Sequence, residues 1–233
     1  MNDWRKAREV AMNTLVIDTS TVYCSVAVFS GGACIGVADK LPRAHNRHLL
    51  PMIKRTLTTA RLNKGDIQCL AYGVGPGSFV GVRLSAAVMQ AMSLSLNVPV
   101  VGFSSMQAAA IYYAVKYQKG GKIAVILDAR MGDVYLGVYQ CSVSGTGSVC
   151  LEERCLPVPE VDAVLTELKA ETVIGDSISA VQHKPEKFEV YPDCRYLLPL
   201  VNQCCQSAQK KEQFQNALPV YLQGVKNWWK IGQ

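Results

Sequence analysis

Lys122-Ile123-Ala124-Val125-Ile126-Leu127-Asp128 is an apolar run that closes on an acid, and it is the second of its kind in the chain. The first is Leu15-Val16-Ile17-Asp18. The pattern downstream of each run repeats as well. After Asp18, Cys24 to Ser30 alternates as a half-buried strand does, Gly31-Gly32 signals a hairpin turn, and Ala33 to Ala38 returns as a third strand. After Asp128, Val134 to Tyr139 and Ser148 to Leu156 read as the matching pair. A helical period then appears over His45 to Arg61, with Leu49, Ile53, Leu57 and Ala60 as its stripe, and again over Val161 to Leu168. Short strands come next at Ile67 to Tyr72 and Thr172 to Gly175, and helices at Val82 to Leu96 and Arg195 to Lys211. A β-β-β-α-β-α unit is therefore read twice, each time opening on a strand that ends in Asp. The first half carries one more strand, Val98 to Phe103, and a helix capped by Ser104-Ser105. The expected architecture is α/β with mixed sheets in two lobes that meet near Gly120-Gly121. The first lobe spans residues 12–118 and the second 119–233, whose last residues are expected to pack back on the first.

Composition narrows the function classes. Of the 233 residues, 49% are apolar and 18% charged, which is globular rather than disordered. The net charge of +6 is scattered, with no run of five or six bases, so a direct nucleic-acid surface is not indicated. Nine cysteines occur without a Cys-x-x-Cys, which argues against a zinc ribbon or a thioredoxin-type pair. Reduced thiols in a cytoplasmic protein are expected, with Cys24, Cys34, Cys69 and Cys141 as small core fillers. Cys204-Cys205 show no metal-site spacing with the three histidines. Residues 1–11 are charged and lack the apolar segment of a secretory leader, so they are expected to be a disordered leader ahead of Met12. No apolar run is read as approaching 18 residues, and no membrane span is expected.

The chemistry-bearing stretch is Gly73-Val74-Gly75-Pro76-Gly77-Ser78-Phe79-Val80-Gly81-Val82-Arg83. Amides at a helix N-terminus suit an anion, and an acid at a strand end, here Asp18, suits Mg²⁺-bound phosphate. Asp18, Ser20, Gly75, Gly77 and Ser78 therefore form a candidate nucleotide set. The loop lacks the lysine of a Walker motif, so autonomous ATP hydrolysis is not expected. The other reading of Asp18 is a strand-end acid making a turn hydrogen bond. Asp128, with Arg130 and Asp133, carries the same two readings. His45-x-x-His48, with Asp39 before it, is either a metal pair or a polar helix edge.

Five stretches together resemble one family. Ile17-Asp18-Thr19-Ser20, Gly75-Pro76-Gly77-Ser78-Phe79, Gly81-Val82-Arg83, Asp128-Ala129-Arg130-Met131-Gly132-Asp133-Val134-Tyr135 and Pro219-Val220-Tyr221-Leu222 are similar to the TsaB (YeaZ) family, in order and at similar spacing from Met12 onward. The resemblance implies the actin-like, Hsp70-like (ASKHA) fold. It also implies a non-catalytic partner of TsaD, the subunit that places threonylcarbamoyl on adenosine 37 of tRNAs reading ANN codons. The ATPase TsaE acts alongside, and tRNA is reached through the complex. The catalytic relatives carry a His-x-x-x-His metal pair where this chain has Ser105 and Ala109, so no metal site is expected. The chain is expected to have no cofactor of its own, with ATP or ADP and Mg²⁺ at a partner interface as the cofactor reading. The alternatives are a weak nucleotide-binding ATPase or a glycoprotease-like peptidase of the M22 type, with Ser78 weighed as its nucleophile.

The family is expected to pair, with itself or with TsaD, through helices of its N-terminal half. Gly81, Ser85, Ala86, Ala87, Ala91, Ser93 and Ser95 leave the second helix slim, and its all-round apolarity suggests two buried faces. The candidate interface is His48, Leu49, Met52, Ile53 and Leu57 with Val82, Ser85, Ala86, Met89, Gln90 and Ser93. Trp228-Trp229 is read as either tail packing or a contact for a third partner.

Overall fold

The computed structural model describes residues 12–177, 181–182, 186–188 and 190–211. Three features named above, the leader 1–11, Pro219 to Leu222 and Trp228-Trp229, lie outside the described residues. The first half runs β1 (Thr14–Asp18), β2 (Tyr23–Ser30), β3 (Ala33–Lys40), α1 (His45–Thr59), β4 (Cys69–Gly73), α2 (Phe79–Leu96), β5 (Val100–Phe103) and α3 (Ser105–Tyr117). The second runs β6 (Gly121–Arg130), β7 (Asp133–Cys141), β8 (Gly147–Pro157), α4 (Val158–Glu167), β9 (Thr172–Gly175), β10 (Glu186–Phe188) and α5 (Leu198–Lys211).

Each half builds a five-stranded sheet, in the order β3-β2-β1-β4-β5 and β8-β7-β6-β9-β10. The hairpin strands pair antiparallel, β1 with β2 and β2 with β3; β1–β4 and β4–β5 are parallel. The second sheet repeats this pattern strand for strand. The repeated unit is thus longer than the β-β-β-α-β-α read from the sequence. Its fifth strand, β10, is three residues long and gives periodicity nothing to register. Gly31 and Gly32 turn the β2–β3 hairpin at φ +54° and +80°, the left-handed conformations a two-residue turn requires.

Alternation along the strands divides the core. Leu15, Ile17, Val26, Val28, Leu70 and Tyr72 face α1 and α2. Val16, Ala27, Phe29, Ala71, Val101 and Phe103 face the other way, into a core shared with the second sheet. From that sheet Ile123, Val125 and Leu127 enter the same core, while Ala124 and Ile126 pack toward α4. Between the two sheets lie α3 and the first turns of α5. Along α3, Met106, Ala108, Ala110, Ile111, Tyr113 and Ala114 are fully buried. Alanines at 108, 109, 110 and 114 let a helix fit where both of its sides meet protein.

Two expectations are corrected here. Cys34 is exposed, because β3 is an edge strand with its outer positions in solvent. And α2 is 18 residues long and apolar enough, by length and composition, to cross a membrane. Its buried stripe of Gly81, Val82, Ser85, Ala86 and Met89 anchors it to the first sheet.

Met106→Ala should destabilise the protein by about 2–5 kcal/mol, because it hollows the core common to both sheets. Leu94→Ala, at a side chain 85% exposed, should change stability by no more than about 0.5 kcal/mol. Urea unfolding of the two variants checks the pair.

Candidate functional site

Asp18 ends β1 only 1% exposed, and it is held by its neighbours in the chain and by the residue that supports the glycine loop. The Ser20 N–H and hydroxyl donate to its Oδ1 at 2.8 and 2.7 Å. The Ser105 hydroxyl, in the first turn of α3, donates to its Oδ2 at 2.7 Å. Burial pushes the carboxyl above its ordinary range, against the opposing pull of the Ser105 and Ser20 donors. Ser105 also ties down the loop: its Oγ accepts from the Gly75 N–H at 3.3 Å, and its own N–H donates to the Gly75 carbonyl at 2.9 Å.

The glycines are explained by this crowding. A Cβ on Gly73 would lie 1.9 Å from Asp18 Oδ2, and one on Gly81 would lie 1.9 Å from the Thr19 carbonyl oxygen. Gly77, at φ +158°, would meet the Ser20 carbonyl at 2.4 Å. The Ser78 N–H donates to that same carbonyl at 2.6 Å. The Ser78 hydroxyl caps α2 by accepting from the Gly81 N–H, and Thr19 donates to the Gly81 carbonyl at 2.7 Å and shares a hydrogen bond with Ser85. The five residues of the candidate nucleotide set do come together. Their loop amides at 75 and 78, however, and that of Gly81 beyond them, are engaged by the protein itself.

A second carboxylate reaches the same helix end. Glu153 of β8 accepts from the Ser104 hydroxyl, the N-cap of α3, and from the Tyr139 hydroxyl at 2.6 Å. Burial raises its pKa, against those two donors. Adjacent serines at one helix N-terminus thus hold an acid from each half, where the helix dipole favours negative charge. Glu153 and Tyr139 are invisible to motif reading, since one is an alternating strand position and the other a core tyrosine.

Asp128 does not repeat the arrangement at Asp18. Its carboxylate is exposed, accepts from the Arg130 N–H at 2.8 Å and pairs with the Arg130 guanidinium at 3.2 Å. This is the turn hydrogen bonding that was one of its two readings. Asp133, the third member of that set, is half-buried. His45 is half-buried and His48 exposed. Among the described residues no three His, Cys, Asp or Glu side chains cluster as a metal site.

The interface residues need correction. Leu49, Met52, Ile53, Leu57, Val82, Ser85, Ala86 and Met89 are buried under α1 and α2 in the protein's own core. The Ser93 hydroxyl donates to the Val98 carbonyl at 2.6 Å. Only His48 and Gln90 of the set are exposed. A helix apolar on every side gives no phase, so its inner stripe cannot be told from its outer one by pattern alone. The outer stripe is Val80, Leu84, Ala87, Ala91 and Leu94, spaced at alternating intervals of four and three residues. That spacing is the seam of paired helices. Val80 is 73% exposed and Leu94 85%. Beside the seam, Leu50 of α1, with Lys64, Ala87, Val88, Ala91, Met92, Ser95 and Leu96, lines an open, mostly apolar groove.

Comparison with known proteins supplies the family. Residues 37–162 match the family model described as TsaD, tRNA N6-adenosine threonylcarbamoyltransferase. The tRNA threonylcarbamoyladenosine biosynthesis protein TsaB of Escherichia coli is 34% identical over 94% of this chain and 98% of its own. The chain belongs to the TsaB family. The TsaB of Buchnera aphidicola from Schizaphis graminum is 30% identical over 80% of this chain and 91% of its own. The solved YeaZ structure from Pseudomonas aeruginosa superposes with a TM-score of 0.78 at 30% identity, covering 91% of this chain and all of that one. With these neighbours the two-sheet arrangement is the ASKHA type of α/β fold.

Asp18 is an acid whose folded pKa lies above its ordinary value of 3.8. The folded state therefore holds the proton more tightly, and stability falls as pH rises from about 4 through the folded pKa. Asp18→Asn should remove that part of the fall. Its stability relative to wild type should be near zero at pH 4 and favour the variant increasingly toward pH 7, read from urea midpoints across the range. The opposite trend would show that the Ser20 and Ser105 donors outweigh burial.

Proposed function

We propose that this chain is a non-catalytic subunit of tRNA threonylcarbamoyladenosine formation, and that it docks on TsaD through the outer face of α1 and α2. The observation that carries the reading is the apolar seam of α2, which no described residue covers. Exposed Val80, Ala87, Ala91 and Leu94, with Leu84 half-buried between them against the core, stand at helix-pairing spacing and suit a second apolar helix. Small residues at 87 and 91 let that helix come close, and the methionine and leucines of the adjoining groove give an adaptable rim. In this proposal TsaD presents the matching helices, a second copy of this chain occupies the same face when TsaD is absent, and TsaE and tRNA join the assembled pair. The modified base is adenosine 37 of tRNAs reading ANN codons. The setting is the cytoplasm.

The inward side of the same helix supports the non-catalytic half of the reading. Asp18 is buried and met by donors on both oxygens, and the loop amides bond to Ser20 and Ser105. Ser78 acts as a helix cap, which gives its hydroxyl a structural task in place of the peptidase one. A nucleotide with Mg²⁺, in this proposal, is held by the partner or between the two proteins.

Ala91→Arg combined with Leu94→Asp puts two charges on the seam without touching the buried stripe. Association with TsaD should weaken at least about tenfold, or about 1.4 kcal/mol. Threonylcarbamoyladenosine formed in a reconstituted mixture should fall with it, while the thermal midpoint of the variant alone stays put. Undiminished association and modification would rule out this face. For the enzyme alternative, the purified chain should turn over ATP no faster than its Asp18→Asn variant; Asp18-dependent turnover would overturn the non-catalytic assignment.

A further inference from the structure

The core between the sheets holds two thiols in contact. Cys69 is the first residue of β4 and Cys205 lies on α5, 136 positions later, yet their sulfurs are 3.5 Å apart. Both are buried. The distance in a disulfide is about 2.0 Å, so the sulfurs must approach by about 1.5 Å. The two thiols are also unequal. Either sulfur can donate the bond between them; with Cys69 as donor, the Cys205 pKa is held below its usual value, while the same bond and burial raise that of Cys69. The other buried thiols are placed differently: burial drives Cys24 and Cys141 up to about 12, and raises Cys194 well above its usual value. Thiolate character governs which sulfur an oxidant finds.

We infer that Cys69 and Cys205 are a peroxide-oxidisable dithiol that closes to an intramolecular disulfide, fastening α5 to the first sheet. The oxidant is a peroxide small enough to enter a tight interior. Cys205, as thiolate, attacks one oxygen of hydrogen peroxide; the O–O bond breaks, and the departing hydroxide takes a proton to leave as water. The product is a sulfenic acid on Cys205. Cys69 then gives up its proton and attacks the Cys205 sulfur; the S–O bond breaks and a second water leaves. Two thiols lose two electrons in all, and one peroxide becomes two waters. The bond closes a loop from β4 to α5, through the later part of the first half and most of the second, a linkage that chiefly restricts the unfolded chain. It adds nothing to the proposed docking face on α1 and α2, so it stands whether or not that face binds TsaD.

The test treats the full-length protein with hydrogen peroxide, blocks remaining thiols with N-ethylmaleimide under denaturing conditions, and maps tryptic peptides by mass spectrometry without reduction. The expected product joins peptide 65–83, which holds Cys69, to peptide 196–210, which holds Cys204 and Cys205. It should come from the monomer band of a non-reducing gel, and its thermal midpoint should rise over the reduced protein. Cys204→Ser should keep the link; Cys205→Ser and Cys69→Ala should each lose it. The inference is overturned if Cys69 and Cys205 are both recovered alkylated after exposed Cys34 and Cys150 have been oxidised. It is equally overturned if the link survives Cys205→Ser, or occurs only in covalent dimers. Wild-type protein alone shows whether the link forms and whether it lies within one chain, so a variant that folds poorly does not remove the test.

Discussion

The constraint on which the first half depends is the close approach of the glycine loop to the turn that ends β1. Backbone atoms of Thr19 and Ser20 sit where side chains at 77 and 81 would otherwise begin, and Asp18 fills the space beside Gly73. That approach places the N-terminus of α2, because Ser78 both caps the helix and donates its N–H to the Ser20 carbonyl. It also fixes the inner stripe of α2 through the Thr19 bonds to Gly81 and Ser85. Once the inner stripe is set, the opposite stripe has no choice but to face outward. The surface seam is therefore a geometric consequence of a buried contact on the far side of the same helix.

Much of this was legible in the residues. The strands announced themselves because each pairs an apolar run with a hard stop: an acid at 18, a glycine pair at 31–32, a glycine at 73. The duplication came from the second apolar run ending at Asp128. Parallel strands 172–175 and 100–103 were found because both faces are buried and the runs are continuous. β10 was missed since Glu186-Lys187-Phe188 offers one apolar residue and no alternation to count.

The site was legible in its members and not in its direction. Gly75, Gly77, Ser78, Asp18 and Ser20 were correctly grouped, but a glycine cluster has the same sequence signature whether its freed backbone meets a phosphate or another stretch of protein. The contacts that the loop makes with the Thr19 and Ser20 carbonyls are set by a different segment of the chain, ahead of β2, so the loop's own sequence carries no sign of them. The faces of α2 were beyond reach for a different reason. Amphipathic phase comes from contrast between polar and apolar sides, and here Ser85 and Ser93 lie inward, satisfied by Thr19 and Val98, while Val80 and Leu94 lie outward. The polarity rule is inverted along that helix. Pattern matching consequently selected the residues that hold α2 down.

An uncovered apolar helix also sets a rule of supply. Each chain made without a counterpart adds to the solution a face that other chains, or half-folded ones, can capture. The hazard grows with the square of the unpaired concentration, since capture of one copy by another is a collision of two. If that face is left bare at high concentration, an apolar stripe on a folded helix becomes a nucleus for precipitation. The outward stripe of α2 thereby links the packing of one helix to the concentration at which the protein stays dispersed.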